Sequence, residues 1–237
     1  MHSATFPDHL ITKDRLAVAL ERQIILRYVR DAKTILDVGC GTGETLRWLA
    51  GQRSPGQRFV GLEPHPDLFA VAVGYLDAAP GLGFRLGDYT MVASQYDCIY
   101  TQRMLIQLPT WEAQIAAIDT LRAHLTPHGR LLCIEPSADG LDRLNAVRMR
   151  VGVPAITPPT HATYLPKSWP GDQPVKDSSF GESYSFLSRV VEAYRAQQEG
   201  REPIYMDPDS VEGRLCLALP ETGDGFGQYH YSVWGAA

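Results

Sequence analysis

Apolar positions along the chain alternate between two spacings. From Asp14 to Arg30, residues Leu16, Ala19, Leu20, Ile24, Leu26 and Val29 recur at three- and four-residue intervals, which predicts an amphipathic helix with Asp14 as its N-cap. Thr34 to Val38 is a short apolar run of the kind a buried strand makes, and it breaks into Gly39-Cys40-Gly41-Thr42-Gly43 before a helical stretch from Glu44 to Ala50. The same order returns more loosely. Arg58 to Leu62 reads as a strand, Pro66 to Asp77 as a helix opened by proline in its first turn, and Phe84 to Leu86 as a brief strand. Tyr96 to Tyr100 predicts a strand, Trp111 to Leu125 a helix, and Arg130 to Ile134 a fifth strand. Five strands alternating with helices imply a mostly parallel sheet covered on both faces, with right-handed crossovers.

After Glu135 the regularity fails. A helix from about Leu141 to Val151 leads into Gly152 to Pro174, where Pro154, Pro158, Pro159, Pro166, Pro170 and Pro174 stand among His161, Tyr164 and Trp169. A low-charge segment rich in proline and aromatic residues predicts a lid or wall. Helices follow over Tyr184 to Gln198 and Ser210 to Leu219, and Gln228 to Trp234 alternates like an edge strand.

Composition narrows the class. A chain of 237 residues that is 44% hydrophobic and 21% charged can bury a sizeable core, so one elaborated domain over 1–237 is expected and disorder is excluded. A net charge of -5 with no Lys/Arg cluster argues against a nucleic-acid partner. No stretch approaches the roughly 18 apolar residues of a membrane span, and Met1 to Asp14 lacks the features of a secretory signal. A cytoplasmic protein without a membrane partner is the expectation, its oligomeric state left open. Cys40, Cys98, Cys133 and Cys216 are widely spaced, which suggests structural thiols rather than a metal knuckle or redox pair.

The glycine turn carries the chemistry. Glycines at the carboxyl end of the first strand let the backbone approach a ligand closely where doubly wound sheets place their sites. A dinucleotide fold wants G-x-G-x-x-G, and the third glycine would fall on Glu44; the spacing here is G-x-G-x-G, preceded by Asp37. A pyrophosphate is therefore disfavoured, and a carboxylate would meet amino or hydroxyl groups instead.

Ile35 to Glu44, ILDVGCGTGE, closely resembles motif I of the class I S-adenosylmethionine-dependent methyltransferases, and further landmarks follow in that family's order. Glu63, beside Pro64, stands where the family binds the ribose hydroxyls; Asp88, with Tyr89, stands where it binds the adenine amino group. Tyr96-Asp97 to Arg103 resembles its fourth-strand motif, and Leu125 to Glu135 its fifth strand and preceding turn. The resemblance covers about residues 30–136. It implies a Rossmann-like doubly wound α/β sheet of seven strands, mostly parallel, with an antiparallel C-terminal strand and a helical and loop lid. Residues 30–136 would form the cofactor half, 1–29 and 137–227 the acceptor-site cap, and 228–234 an edge strand. It also implies S-adenosylmethionine as cofactor, without a metal, held by Asp37, Gly39, Cys40, Gly41, Gly43, Glu63, Pro64, Asp88, Tyr89 and Gln102.

The acceptor half resembles a bacterial subgroup of surface-glycan and specialised-metabolite pathways, on Arg103 to Pro109, Trp111, Gln114, Glu135, Leu141 to Gly152 and Ser188-Arg189-Val190. It departs in having Gln102 where an acid is usual, and in a shortened connection around 166–177. No [DNS]-P-P-[YF] turn and no Pro-Cys nucleophile is present, which disfavours nucleic-acid bases as acceptors. Only Glu135 and Asp139 offer acids for a divalent metal near the strand ends.

Residues just beyond strand ends and on the lid are the acceptor-side candidates. Arg103 reads either as an anchor for a carboxylate or phosphate or as an ion pair to a helix. Glu135 reads as a base or hydroxyl ligand, or as a structural hydrogen bond. Asn145 and Arg148 share a helix face, toward ligand or toward solvent. His161 is the natural base of the lid, because an imidazole exchanges protons near neutral pH. Tyr164 and Tyr184, with Trp169, are expected to wall the pocket. The expected activity is methyl transfer to a hydroxyl or amine of a small polar metabolite or sugar. A silent cofactor-binding module, or an RNA or protein methyltransferase, are the alternatives.

Overall fold

Alternate residues of a strand point to opposite faces, so a strand apolar at successive positions needs cover on both sides. β1 (Thr34–Val38) is such a strand, and in the computed structural model, which describes residues 13–78, 80–165, 173–219 and 227–236, it is buried from Ile35 onward. Ile35 joins a core with Leu16, Ile24, Leu46 and Tyr100, while Leu36 and Val38 join a second core with Ile99, Ile118, Leu121 and Trp234 on the other face.

The sheet has seven strands in the order β3-β2-β1-β4-β5-β7-β6. β2 (Arg58–Glu63), β3 (Leu82–Leu86), β4 (Tyr96–Gln102) and β5 (Leu125–Pro136) run parallel to β1, and β7 (Tyr229–Gly235) pairs antiparallel with both β5 and β6 (Lys176–Phe180). α1 (Arg15–Val29) and α2 (Glu44–Gly51) contribute to the first core, and α4 (Trp111–Ala123) to the second. After β2, α3 (Pro66–Val73) connects to β3, and the chain then crosses to β4 on the far side of β1. That reversal opens a crevice above the carboxyl ends of β1 and β4, the general ligand position in such sheets.

Two expectations are corrected here. The segment 228–234 is not an edge strand: β6 lies outside β7 and pairs with it from Lys176↔Val233 to Phe180↔Tyr229. The sequence Lys-Asp-Ser-Ser-Phe escapes prediction because an edge strand with exposed Lys176 and Asp177 carries no apolar alternation, a composition that also discourages edge-to-edge pairing. The helix expected over 184–198 is also not regular. α6 (Glu182–Tyr184) and α7 (Glu192–Gln198) flank a π-helical stretch at Ser185–Val191, a widening often found at functional sites. α5 (Ala138–Arg150) and α8 (Val211–Ala218) complete the helices. Pro166, Trp169 and Pro170 of the expected lid lie outside the described residues.

Candidate functional site

The turn after β1 is tied to the next strand before any ligand is considered. Gly39 and Cys40 donate their N–H groups to the Leu62 carbonyl at 2.8 and 3.1 Å. The Gly41 N–H donates to Glu63 Oε2 at 2.7 Å, and the His65 N–H donates to Glu63 Oε1 at 2.9 Å. Gly41 has φ +57, and a Cβ there would meet nothing within 4 Å, so its bare face is open to the space above. Gly43 has φ +74 and a different reason: a Cβ would come 2.6 Å from the Phe84 ring, which fills the turn from behind.

A cavity of about 1110 Å³ stands over this turn. Its walls take in Gly39, Cys40, Gly41, Glu63 and Pro64 from the β1 and β2 ends, Asp88 and Tyr89 beyond β3, and Gln102 and Arg103 at the end of β4. His161 and Tyr164 close it from the proline-rich loop, and Arg15, Val18, Ala19 and Arg22 of α1 form another side. Their i, i+3, i+4, i+7 spacing makes one stripe of that helix. The sequence reading assigned α1 to the cap but found none of these four.

Asp37 and Gly43 stand behind the wall rather than on it. The Tyr100 hydroxyl donates to Asp37 Oδ2 at 2.8 Å, while Asp37 Oδ1 is buried without a hydrogen-bond partner among the described residues. Burial pushes the Asp37 carboxyl up to about 7, helped by the nearby Glu63 charge and opposed by the Tyr100 hydrogen bond. The Cys40 thiol is likewise pushed up by burial and by Asp37, which keeps it a neutral part of the wall. Asp88 spends Oδ1 on the Thr90 N–H at 2.9 Å and the Thr90 hydroxyl at 2.6 Å, capping the short 3₁₀ turn Tyr89–Met91.

At the end of β4 a buried carboxylate organises the wall. Glu21 of α1 accepts from Gln102 Nε2 and forms an ion pair with Arg103 Nη2 at 3.0 Å, with no exposure of its own side chain. Arg103 is the non-glycine residue with positive φ among the described residues, at 57°. Its ion pair matches the second of the two readings drawn from sequence, although Arg103 also borders the cavity. Glu21 was missed. The signal was available, because it falls between Leu20 and Ile24 on the buried side of the helix, where an unpartnered charge is costly.

Glu135 does not face the cavity. Its Oε1 accepts from the Thr101 hydroxyl at 3.0 Å and the N–H groups of Met104 and Leu105 at 3.1 and 3.0 Å, and its Oε2 from the Ile106 N–H at 3.4 Å. With its side chain buried and these donors around it, Glu135 caps the loop leaving β4; the expected role as base or hydroxyl ligand gives way to the structural one. Burial raises its carboxyl to about 7, with the Leu105 N–H the largest of the hydrogen bonds holding it down.

Three acceptor-side expectations are corrected in the same way. Asn145 donates to the Ile156 carbonyl at 3.0 Å and accepts from its N–H at 2.7 Å, and Arg148 donates to the carbonyls of Pro154 and Arg189. Both pin the loop after α5 instead of facing ligand. Tyr184 is buried at 1% exposure and donates its hydroxyl to Asp14 Oδ2, which Arg189 Nη2 also reaches at 2.6 Å. That loop is anchored further by Gln114, whose Nε2 donates to the carbonyls of Leu105 at 3.0 Å and Thr163 at 2.6 Å. His161 and Tyr164 thus hang from a tethered segment.

A family model described as a methyltransferase domain matches residues 12–168. The chain is 31% identical over 129 residues to trans-aconitate 2-methyltransferase of Deinococcus radiodurans, covering 54% of this chain and 47% of that protein. It is 29% identical over 140 residues to an uncharacterized 37.1 kDa protein in transposon Tn4556 of Streptomyces fradiae, covering 58% of this chain and 40% of the relative. It therefore spans less than half the length of either curated relative. Among solved structures, the magnesium protoporphyrin IX methyltransferase of Synechocystis PCC 6803 aligns with a TM-score of 0.50 at 19% identity, over 70% of this chain and 74% of that one, which is a likeness of fold. No described helix is long and apolar enough to cross a membrane.

Proposed function

Because the chain belongs to the methyltransferase-domain family, we propose that it transfers a methyl group from S-adenosylmethionine to a hydroxyl or amine of a small polar metabolite or sugar. One observation carries this reading. The Glu63 carboxylate borders the cavity with one backbone N–H on each oxygen, which leaves lone pairs on both for the two ribose hydroxyls. Asp37 Oδ1, buried behind the glycine turn with no hydrogen-bond partner among the described residues, also fits a cationic ligand, since a positive charge nearby would favour its ionised form.

In this reading Glu63 and Pro64 hold the ribose, Asp88 and Tyr89 the adenine, and Gly39, Cys40 and Gly41 the chain between ribose and sulfur, with Gln102 beside them. When bound, the cofactor supplies a methyl already activated on a sulfonium. The protein's own work is to line up an acceptor, exclude water and take one proton. His161 is the candidate for the proton, and Arg103, Tyr164, Met104 and Leu108 contribute to the acceptor's surroundings. Arg15 and Lys13 at the mouth suit an acceptor that also carries a carboxylate or phosphate, as trans-aconitate in the relative's name does.

Calorimetry with S-adenosylhomocysteine tests the first half, and absence of binding by the wild type would remove the proposal. Incubation with labelled S-adenosylmethionine and a fractionated cell extract tests the second, with mass spectrometry identifying the product that gains one methyl. Cofactor binding with no turnover on any fraction would instead indicate the silent module.

A further inference from the structure

Charge divides the cavity wall into two ends. Its acids, Glu44, Glu63 and Asp88, all stand between the glycine turn and the residues just beyond β3, and from Gln102 onward no described wall residue is acidic. The far end, formed by the start of α1, the end of β4 and the start of β7, carries Arg15 and Arg103 instead. Glu21 and Asp14, the acids behind this part of the wall, are already paired with Arg103 and Arg189, and no described acid pairs with Arg15. On a chain of net charge -5, that separation gives the far end a positive field, which a cleft with low-dielectric walls concentrates.

Tyr229 opens β7 opposite Pro136 of β5, so it stands at the carboxyl end of the parallel strands, on the cavity wall. Its ring is fixed in place, 5.7 Å from Phe180 and 6.2 Å from Tyr184 between centroids, and the residue is only 6% exposed. Two other buried phenols spend their hydroxyls inside the protein, Tyr100 on Asp37 and Tyr184 on Asp14. The Tyr229 hydroxyl makes no hydrogen bond among the described residues. A hydroxyl held out of bulk water without a partner is costly, so one on a cavity wall is suited to a ligand atom. Burial raises the phenol, so it stays protonated and offers an anion a donor. Arg103 is close enough that it and Tyr229 act on each other's ionisation. Arg103 gives Nη2 to Glu21, while its Nε and Nη1 make no hydrogen bond among the described residues. Its φ of 57° is the kind of backbone strain kept where a side chain must be held at a ligand site.

We propose that the methyl acceptor is an anion whose carboxylate or phosphate group accepts hydrogen bonds from the Tyr229 hydroxyl and from Arg103, an assignment that rests on the methyl-transfer reading above and narrows its acceptor. The two donors anchor the acceptor by its charged group and leave the atom that takes the methyl free to face the glycine turn. An amine acceptor is disfavoured by the same charges, because it arrives as an ammonium ion and meets Arg15 and Arg103 with no acid on this part of the described wall to hold it.

The test reads the acceptor's charge first. A small-molecule cell extract is passed at neutral pH over anion- and cation-exchange resins, and every fraction is assayed with labelled S-adenosylmethionine. Acceptor activity should be retained by the anion exchanger; activity in its flow-through, or retained by the cation exchanger, overturns the proposal and leaves methyl transfer intact. Phosphatase treatment of the retained fraction abolishes activity if the anchoring group is a phosphate and spares it if it is a carboxylate. With that fraction as substrate, Tyr229→Phe keeps the ring contacts and should raise the apparent KM by about tenfold, the order of one hydrogen bond to a charged group, with kcat and S-adenosylhomocysteine affinity within about twofold of the wild type. Tyr231→Phe, on the same face of β7 but off the cavity wall, should change none of these. An unchanged KM in Tyr229→Phe, or an equal loss of S-adenosylhomocysteine affinity, overturns the assignment of Tyr229. Absence of turnover with every fraction removes the methyl-transfer reading and this proposal together.

Discussion

Glu21 Oε2 and Arg103 Nη2 stand 3.0 Å apart beneath the cavity, joining the buried face of α1 to the residue that turns the chain out of β4. Removing one member of a buried pair strands the other charge, which typically costs about 3–5 kcal/mol. Arg103→Met should therefore lower the unfolding free energy by that order in denaturant melts, and the double variant Glu21→Met with Arg103→Met should recover most of it. Additive losses would show that the two charges do not support each other. Kinetic effects of Arg103 variants on the acceptor KM are meaningful only beside this measurement.

Glu63 is expected to act on the donor alone. Glu63→Ala removes the acceptor of the Gly41 and His65 N–H groups as well as the proposed ribose contact. Affinity for S-adenosylhomocysteine should fall by about tenfold or more, the order of one or two lost charge-assisted hydrogen bonds, measured by calorimetry. Retained affinity would remove Glu63 from the donor site.

The pH dependence of stability has a defined sign. The Asp37 carboxyl, ordinarily at 3.8, is raised to about 7 by burial, and Glu135 is raised to about 7 from 4.5 by the same cause. Between the ordinary and raised values the folded protein keeps protons that the unfolded chain has released. The stability that these two carboxyls contribute is thus fully present below the ordinary values and is lost as pH rises through the raised ones. Chemical unfolding at about pH 5 and about pH 8 should show the decline, and Asp37→Asn should flatten part of it. An unchanged slope in that variant would mean that Asp37 titrates alike in both states.

Glu135 and His161 should separate cleanly. Glu135→Gln places an amide donor among N–H groups, with a predicted stability loss of about 1–3 kcal/mol and an unaltered shape of the turnover pH profile. His161→Ala should lower kcat by about a hundredfold or more if it accepts the acceptor's proton, with S-adenosylhomocysteine affinity unchanged. A normal kcat in His161→Ala would move the base elsewhere.

The strands and turns around the glycine loop were legible because their signals are local. A strand, a glycine turn and a helix follow one another within Thr34 to Ala50, Glu63 ends β2, and Asp88 stands two residues past β3. The segment after β5 was not, because its decisive contacts join distant residues. Nothing near Glu135 in sequence says that its carboxylate takes the N–H groups of Met104, Leu105 and Ile106, and nothing near Tyr184 points to Asp14, 170 positions away. Polar residues such as Asn145 and Arg148 read alike whether they meet a ligand or a loop carbonyl. Glu21 is the instructive omission, since an acid on an apolar helix stripe is visible in the sequence even though its partners are not.

The insertion of β7 between β5 and β6 makes the sheet uneven in contact order. The β5–β7 register closes Pro136 onto Tyr229, whereas β1, β2 and β3 pair across single helical connections. Long loop closures add chain entropy that must be met before the strand gains its contacts. Amide hydrogen exchange should therefore be faster in β6 and β7 than in β1 and β4, with the two strands opening as one cooperative unit. Tyr229, and Gln228 just before it, border the cavity from that unit, so its opening would dissolve part of the cavity wall while the glycine turn stays folded.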